Sequence, residues 1–330
     1  MRRRDFLRLV LGLTLPSAIR PKPAFAEGPS KRVVWISAFP VAQGSGPLGF
    51  QSAFLEGMLE QGYVKDRDFA FEVREGKGSS DVALVVEEAI RLRPDVMLAP
   101  ATLEAVTAKQ ATSTIPIVCP ALADAVHLGL IGSEARPGGN LTGIEPYIGG
   151  LPAKQIDLAH EVLPTALKIG LLANEADPKG PPQLKELKSA AQALGLQIVS
   201  VNADRPEEIE IGLQTLAKAN VDVVIVLQTN LLLINRAVVA ASALEKRLAT
   251  VYGYREHVAA GGLVSYGVDL RWCYRHSAYF VAKILRGAKA GDLPIEFPTN
   301  LWLAVNLRTA KSLGLAVAPT LLGRADEVIE

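Results

Sequence analysis

The residues best suited to chemistry at first reading form a glycine-rich pattern, Gly44-Ser45-Gly46-Pro47-Leu48-Gly49. The pattern matches G-x-G-x-x-G and follows a predicted strand. An acidic residue, Glu72, lies 23 residues after Gly49, near the spacing of a dinucleotide-binding motif. A dinucleotide site needs a tight turn from the strand into the helix. Here about six residues separate the strand end near Ser37 from Gly44, and Pro47 removes a backbone donor that a pyrophosphate would need. We therefore interpret the pattern as a loop rich in small residues.

Motifs for other kinds of catalysis are missing from the sequence. It contains no G-x-x-x-x-G-K-[ST], G-x-S-x-G, H-E-x-x-H or C-x-x-C pattern. The histidines are scattered without metal-ligand spacing, at His127, His160, His257 and His276. Cys119 and Cys273 are expected to be buried free thiols. The sequence therefore predicts a protein that is not an enzyme and that has no metal site and no cofactor.

The length of the chain is consistent with two lobes, and its charge argues against nucleic acid as a partner. The 330 residues are 49% hydrophobic, which suffices for the cores of two lobes of ordinary size. The formal net charge is +1, but residues 1–26 contain six basic residues and one acidic residue. The rest of the chain is therefore mildly acidic and lacks a basic stripe, which argues against nucleic acid as a partner.

The N-terminal segment predicts export. Arg3-Arg4-Asp5-Phe6-Leu7 is a twin-arginine pattern, the apolar stretch Leu9–Leu15 follows it, and Ala24-Phe25-Ala26 offers small residues for a signal peptidase. The apolar stretch is far shorter than the ~20 residues that a membrane span needs. We expect residues 1–26 to be a twin-arginine signal peptide and the protein to be periplasmic.

Strands and helices alternate along the rest of the chain in two similar runs. Continuous apolar runs such as Arg32–Ala38 and Val223–Leu227 are typical of strands buried on both faces, and segments with helical spacing separate them. The first run ends with the strand Ile115–Cys119 and a short helix expected from Asp124 toward Gly132. The turn Pro137-Gly138-Gly139-Asn140 then leads out of it. This alternation predicts an α/β fold with two doubly wound, Rossmann-like parallel-sheet lobes.

Two further strands near the C-terminus complete the predicted domains. We expect one of them, Gly262–Tyr266, to join the first lobe and the other, Leu301–Val305, to join the second. The first lobe would then comprise residues 31–144 and 263–291, and the second lobe residues 145–262 and 297–330. The chain would cross between lobes three times, near Gly143–Gly150, near Gly261-Gly262 and near Asp292–Pro298, where glycine suits a hinge at the first two.

Several segments, in the right order, resemble a known family. They are Glu60–Val64, Ala108–Val118 (AKQATSTIPIV), Ala135–Gly143 (ARPGGNLTG), Gly261–Gly267, Val305–Lys311 and Arg324–Glu330. The chain resembles, over about residues 32–330, bacterial ABC-transporter substrate-binding proteins of the type I periplasmic-binding fold, in the group that includes tryptophan- and tyrosine-uptake binding proteins. The resemblance implies three hinge crossings, and Asp124, Tyr266 and Asp269 match the family pattern. Ala125 departs from it, since family members often have proline there.

Candidate binding residues lie at the predicted strand ends. In open parallel sheets, ligands bind beyond the carboxyl ends of the strands, where helix N-termini offer free N–H groups. The candidates are Ser37, Phe39, Ala101, Thr102 and Asp124 in the first lobe, Asn174, Gln228, Asn230 and Tyr254 in the second, and Tyr266 and Asp269 at the end of the return strand, Gly262–Tyr266. We expect Thr102 to hold an anionic group, Asp124 or Asp269 to accept from an amine, and Tyr254 and Phe39 to form walls. Asn174 and Asn230 would add hydrogen bonds.

The function expected from these features is capture of a small polar solute for an ABC importer. The partners would be a small-molecule ligand, amino-acid-like, and a permease in the inner membrane, with the protein itself a monomer. The ligand class stays open among amino acids, aromatic amino acids, purine-like compounds and small organic acids. Two other functions also stay open, namely an exported nucleotide- or cofactor-dependent enzyme and a ligand-sensing module for a membrane receptor.

Overall fold

The computed structural model describes residues 31–39, 49–146 and 148–330. Both the predicted signal peptide and nearly all of the glycine-rich pattern lie outside these residues. Among these described residues, the first part of the chain has five strands and three α-helices, which alternate as far as β4. In chain order they are β1 (Lys31–Ser37), α1 (Phe50–Glu60), β2 (Phe69–Glu75), α2 (Val82–Arg91), β3 (Val96–Leu98), α3 (Thr102–Ala111), β4 (Ile117–Cys119) and β5 (Leu141–Gly143).

The second part repeats the alternation and then adds further strands. It begins with α4 (Leu151–Val162), β6 (Lys168–Ala173), α5 (Gly180–Ala193), β7 (Gln197–Asn202), α6 (Pro206–Lys218) and β8 (Val223–Val226). Next come α7 (Asn230–Ile234), α8 (Arg236–Glu245), β9 (Ala249–Tyr252), α9 (Arg255–Ala259), β10 (Val264–Val268) and α10 (Leu270–Leu285). The chain closes with β11 (Leu301–Asn306), α11 (Leu307–Leu313), α12 (Pro319–Leu322) and β12 (Glu327–Ile329).

The strands form two separate sheets, and each is the centre of one lobe. The first has five parallel strands in the order β2-β1-β3-β4-β5, and the second has seven in the order β12-β11-β10-β9-β8-β6-β7. In both sheets the strand order reverses beside the first strand of the lobe, as expected for a doubly wound sheet. The predicted α/β fold with two parallel-sheet lobes is confirmed, with one antiparallel pair, β10 with β11, in the second sheet.

The prediction that the two extra strands divide between the lobes is wrong. Strand β10 pairs with β9 on one side and with β11 on the other, so both extra strands belong to the second sheet. Residues 264–268 of the segment assigned to the first lobe therefore lie in the second. The reason is long-range pairing: Val264–Val268 pairs with Leu301–Val305 in a register that the local sequence does not encode.

The second crossing therefore lies further along the chain than Gly261-Gly262. It falls between the end of β10 at Val268 and the start of α10 at Leu270. The first and third crossings follow β5 and precede β11, close to the predicted positions. These two are joined to each other, since the amide of Glu145 donates to the carbonyl of Glu296 at 2.9 Å and the amide of Glu296 donates to the carbonyl of Gly143 at 3.1 Å.

Helix α10 returns to the first lobe and packs on α1. Its apolar residues share a buried cluster with Phe54, Trp35 and neighbouring first-lobe residues. The two helices approach so closely that a Cβ atom at Gly57 would lie 2.1 Å from the carbonyl oxygen of Arg275. The predicted placement of residues 270–285 with the first lobe thus agrees with this packing, although the preceding strand belongs to the second.

One local prediction also needs correction, and the starts of two helices are given beside it. No helix follows Asp124: residues 121–132 form turns, and Asp124 itself has φ +50°, outside the helical region. Helix α3 begins at Thr102 with Ala101 as its N-cap, so Thr102 is not the cap. Asn230 begins α7, whose N-cap is Thr229, and a separate helix, α8, begins at Arg236.

Other predictions concern burial and membranes. Cys119 and Cys273 are free and buried, as predicted. Asp269 caps α10, because its carboxylate accepts from the amide of Trp272 at 3.2 Å. Within the described part of the chain, no helix is both long enough and apolar enough to cross a membrane.

Candidate functional site

The two lobes contact each other beside the carboxyl ends of their strands. Leu233 of α7 and Tyr254, which follows β9, come from the second lobe but belong to the buried apolar cluster of the first. Tyr254 is only 3% exposed. The strand ends of both sheets thus bound a shared, largely buried region, which is where a ligand of a two-lobed α/β protein is expected.

A buried carboxyl group lies on the first-lobe side of this region. Glu104, in the first turn of α3, is fully buried. Its Oε1 accepts a hydrogen bond from the amide of Ala38, just after β1, at 3.0 Å. Its Oε2 is buried and accepts no hydrogen bond from the described residues. Burial raises the pKa of Glu104 to about 7, against the lowering effect of the Ala38 amide.

A buried ammonium group lies on the second-lobe side. Lys179, immediately before α5, is 4% exposed. Burial by itself lowers the pKa of Lys179, but the Tyr254 hydroxyl and the Asp177 carboxylate outweigh it and hold the pKa above its ordinary value. Lys179 therefore stays charged at neutral pH. Among the described residues, no carboxylate oxygen lies within 4.0 Å of the Lys179 Nζ, so Lys179 forms no ion pair with them.

The carboxyl group of Glu104 belongs to the first lobe and the ammonium group of Lys179 to the second, and the charge of Lys179 lowers the pKa of Glu104. The charge of Lys179 acts on both Glu104 and Cys119 of the first lobe, although neither residue contacts it as an ion pair. Buried charges in proteins are usually paired or hydrogen-bonded, because an isolated one costs several kcal/mol. Among the described residues, the arrangement leaves one oxygen of Glu104 without a donor and the ammonium group of Lys179 without an ion pair.

The burial of Glu104 predicts a measurable pH dependence of stability. Its pKa is about 7 in the folded protein and about 4.5 in the unfolded chain, so the stability that it contributes is fully present below pH 4.5 and is lost as the pH rises from there through 7. Between pH 5.5 and 8.5, the unfolding free energy of the ligand-free wild type should therefore fall by roughly 1–3 kcal/mol more than that of Glu104→Gln. Urea unfolding measures this difference. The prediction would be contradicted if unfolding free energy fell equally with pH in the two proteins. It would also be contradicted if Glu87→Gln, at an exposed glutamate, reduced the pH dependence as much as Glu104→Gln.

Two glutamines hold the second-lobe side in place. The Gln183 Oε1 accepts from the amide of Gln228 at 2.8 Å, and the Gln183 Nε2 donates to the carbonyl of Gln228 at 3.1 Å. Gln228 in turn donates from Nε2 to the carbonyl of Gly253 at 3.0 Å. The predicted residue Gln228 is thus buried at the strand ends, where it joins the end of β8 to the end of β9.

Asp177 organises the backbone beside Lys179. One carboxylate oxygen accepts from the amide of Lys179 at 3.0 Å, and the other accepts from the amide of Asn230 at 2.9 Å, at the N-terminus of α7. The predicted residue Asn174 donates from Nδ2 to Asp204 at 2.8 Å and so stiffens the loop after β6. Asn174 and Asn230 are therefore at the expected strand ends, and these contacts fix the loops that carry Lys179.

The predicted first-lobe residues surround Glu104 in part. The Thr102 hydroxyl is buried and donates to the carbonyl of Ala121 at 3.3 Å, so it already has a partner. The Ser37 hydroxyl donates to the carbonyl of Phe39 at 2.8 Å within the turn after β1. Ala101 is the N-cap of α3. These residues lie at the carboxyl edge of the first sheet, as expected.

Asp124 is oriented through its backbone. Its amide donates to a Glu145 carboxylate oxygen at 2.5 Å, and its carbonyl accepts from the amide of Leu128 at 3.0 Å. Burial raises the pKa of Glu145, despite hydrogen bonds from the amides of Asp124 and Ala125. The loop after β4 is thus tied to the first crossing between the lobes.

The two residues around the return strand lie elsewhere. Tyr266 lines a groove of about 420 Å³ on the second lobe, together with Lys154, Glu161 and Arg324. Asp269 lines a smaller pocket of about 140 Å³ with Trp272 and Trp302. Neither cavity includes Glu104, Lys179 or Tyr254 among its lining residues.

Glu104 and Lys179 were not expected from the sequence. A glutamate in the first turn of a helix is normally explained by the helix dipole, and a lysine in a Pro-Lys-Gly loop is normally exposed. A weak signal exists for Glu104, because it follows a predicted strand end by only a few residues. Among the described residues, no group of three or more histidine, cysteine, aspartate or glutamate side chains is placed to hold a metal ion.

Comparison with known proteins gives a consistent result. A family model described as "ABC transporter substrate binding protein" matches residues 42–329. The "Tyrosine-binding protein" of Clostridioides difficile is 23% identical over 266 residues, which cover 80% of this chain and 76% of that protein.

Two solved structures share the fold. One is an ABC domain in complex with L-Trp from Streptococcus pneumonia, with a TM-score of 0.82, 22% identity and coverage of 91% of this chain and 99% of that one. The other is a conserved domain protein from Vibrio cholerae, with a TM-score of 0.83, 24% identity and coverage of 90% and 99%.

Proposed function

Because the chain belongs to the family of ABC transporter substrate-binding proteins, we propose that it captures an amino-acid-like solute between its lobes and delivers it to an ABC importer. Members of this family are binding proteins rather than enzymes, so no bond is made or broken. Closure would be driven by the ligand, which contacts both lobes at once and so binds the closed form more tightly than the open form.

The observation that carries this proposal is the buried ammonium group of Lys179, which forms no ion pair with any carboxylate of the described residues. It comes from the second lobe and acts electrostatically on the first, at the place where the strand ends of both sheets meet. A ligand carboxylate in contact with Lys179 would complete its ion pair and join the lobes. The Tyr254 hydroxyl, beside Lys179, would orient that carboxylate.

The remaining predicted residues form the frame of the proposed site. Phe39 and Tyr254 are its walls, and Asp124, Ala101 and Thr102 belong to the loops at the first-lobe edge. Gln228, Asn230 and Asn174 position the second-lobe loops, through the contacts of their side chains and backbone. We propose Ser37 as a turn residue of this edge, and Tyr266 and Asp269 as residues that act outside the immediate ligand contacts.

The names of the relatives support an amino acid as the ligand. One relative is called a tyrosine-binding protein, and one structure of the same fold contains L-Trp. We propose that the protein is exported to the periplasm by the twin-arginine route, acts as a monomer and docks on an inner-membrane permease. Residues 1–26, with their paired arginines and small-residue cleavage pattern, support the export route.

A thermal-shift screen tests the proposed function. The purified mature chain is heated with each of the twenty amino acids and with panels of nucleosides, sugars and organic acids. A ligand present at about 100 times its Kd should add roughly 2.7 kcal/mol to the unfolding free energy. A shift confined to amino acids would support the proposal, whereas no shift with any amino acid would overturn it.

A further inference from the structure

We propose that Glu104 binds a cationic group of the ligand, so that the site selects zwitterions whose ammonium contacts the first lobe while their anionic end contacts Lys179. This inference rests on the proposed function and deepens it, because it names the residue that distinguishes an amino acid from a plain carboxylic acid.

The hydrogen-bonding state of Glu104 is the first reason. One oxygen is committed to the amide of Ala38 at 3.0 Å, and the other is buried without a partner among the described residues. A buried carboxylate oxygen without a hydrogen bond destabilises the folded protein. A glutamate with a purely structural role is expected to have both oxygens hydrogen-bonded. An ammonium group of the ligand would supply the missing donor and a compensating positive charge.

The separation of Glu104 from Lys179 is the second reason. The two groups interact electrostatically across the lobe junction, yet no contact within 4.0 Å joins them. If they formed a structural ion pair, they would be expected in direct contact, because burying charges is repaid only with good geometry. A ligand with an ammonium at one end and a carboxylate at the other would pair with both groups.

A second buried glutamate provides a comparison. Glu256 is buried, and its Oε2 also lacks a partner among the described residues. However, the positive charges that act on Glu256 come from Arg255 and Arg236, which belong to its own lobe. Among the described residues of the first lobe no cation acts on Glu104 in this way, and the positive charge that acts on it is that of Lys179. The charge of Glu104 is therefore less compensated by its own lobe than that of Glu256, which favours Glu104 as the contact for a cationic ligand group.

Proton release on binding follows from this placement. Burial raises the pKa of Glu104 to about 7, so about half of the empty sites are protonated at pH 7. The groups that act on it are Asp177 and Lys179 from the second lobe, with Cys119 of β4 also nearby. A ligand ammonium favours the ionised carboxylate, so binding should expel about half a proton at pH 7, and affinity should rise at least about tenfold from pH 5.5 to 8.

Matched ligands test the inference directly. The probes are L-tryptophan, 3-indolepropionate, which lacks the amine, and tryptamine, which lacks the carboxylate, together with the corresponding three compounds of the tyrosine series and the remaining amino acids. We expect the zwitterion to bind at least about 30-fold more tightly than either truncated compound. Equal affinity for 3-indolepropionate and L-tryptophan would overturn the inference while leaving the proposed function intact.

Matched variants supply the second arm. Glu104→Gln keeps the shape of the side chain but removes its charge, and should weaken binding of the zwitterion at least about 10-fold while changing the affinity for the amine-free acid less than about 3-fold. Titration calorimetry in phosphate and in Tris at pH 7 should show proton release by the wild type and by the control variant Glu256→Gln, but not by Glu104→Gln.

Three outcomes separate the possibilities. Loss of both affinity and proton release in Glu104→Gln supports the inference. Unchanged affinity for the zwitterion in this folded variant overturns it, and leaves Glu104 as a structural acceptor for Ala38. If none of the amino acids binds the wild type, the proposed function fails, and the inference fails with it.

Discussion

Lys179→Met should weaken binding of an amino-acid ligand by at least about 30-fold while leaving the protein folded. Removing one partner of a buried, hydrogen-bonded charge pair costs about 2–5 kcal/mol, and 2 kcal/mol corresponds to about 30-fold in affinity. Methionine is unbranched and flexible, so it fills a similar volume without a charge. The variant also removes a buried cation that forms no ion pair with the described residues, so the unfolding free energy of the ligand-free protein should not fall.

The control for this variant lies on α5, the helix that Lys179 immediately precedes. Lys185 of α5 is exposed, and Lys185→Met should change the ligand affinity less than about twofold. Calorimetry with L-tryptophan, L-tyrosine or the strongest amino acid from the thermal-shift screen measures both variants. Equal affinities of Lys179→Met and the wild type would show that Lys179 does not contact the ligand.

Gly143→Ala should lower the unfolding free energy by about 3 kcal/mol or more. Gly143 ends β5 and begins the first crossing between the lobes, with φ +150°. A Cβ atom there would lie 1.9 Å from the carbonyl oxygen of Cys119 and 2.8 Å from two further backbone atoms of that residue. These obstacles are backbone atoms of the paired strand β4, so no side chain can rotate out of the way.

A glycine in the same crossing provides the control for that prediction. A Cβ atom at Gly149 would meet nothing within 4 Å, so Gly149→Ala should change the stability by less than about 1 kcal/mol. Urea unfolding of both variants and the wild type measures the difference. Similar stability of the two variants would mean that β5 and the crossing relax around the added methyl group at little cost.

The fold could be predicted in outline because buried parallel strands have a simple sequence pattern. Runs such as Val223–Val226 are apolar on both faces, and each is followed by a segment with helical spacing. The assignment of β10 to a sheet could not be predicted in the same way. Its antiparallel partner β11 lies more than thirty residues further along the chain, and pairing at that distance depends on the whole lobe.

The candidate site was predictable in position but not in charge. The rule that ligands bind at the carboxyl ends of parallel strands led to Thr102, Gln228, Asn230 and Tyr254, which do lie at those ends. A glutamate in a predicted helix gives no sign of a binding site in the sequence, and Glu104 became a candidate only because the structure buries it completely. Charged residues are seldom buried, so sequence alone favours the surface for them.

The hydrogen-bonded roles of several residues likewise depend on the folded structure. Thr102 was expected to hold an anion, but its hydroxyl donates to Ala121, and the acidic Glu104 lies in the same first turn of α3. The placement of an anion at that helix N-terminus is therefore less favourable than the dipole alone suggests. The opposite assignment, with the ligand cation at the first lobe and its anion at the second, agrees better with both side chains.

Small-angle scattering of the mature protein, with and without a bound ligand, tests most directly the claim that the lobes close on a solute. The radius of gyration is measured with no ligand and with a saturating amount of an amino acid shown by calorimetry to bind. We predict that the ligand lowers the radius of gyration, because contacts with both lobes favour the closed form. An unchanged radius of gyration with a ligand that demonstrably binds would contradict this account.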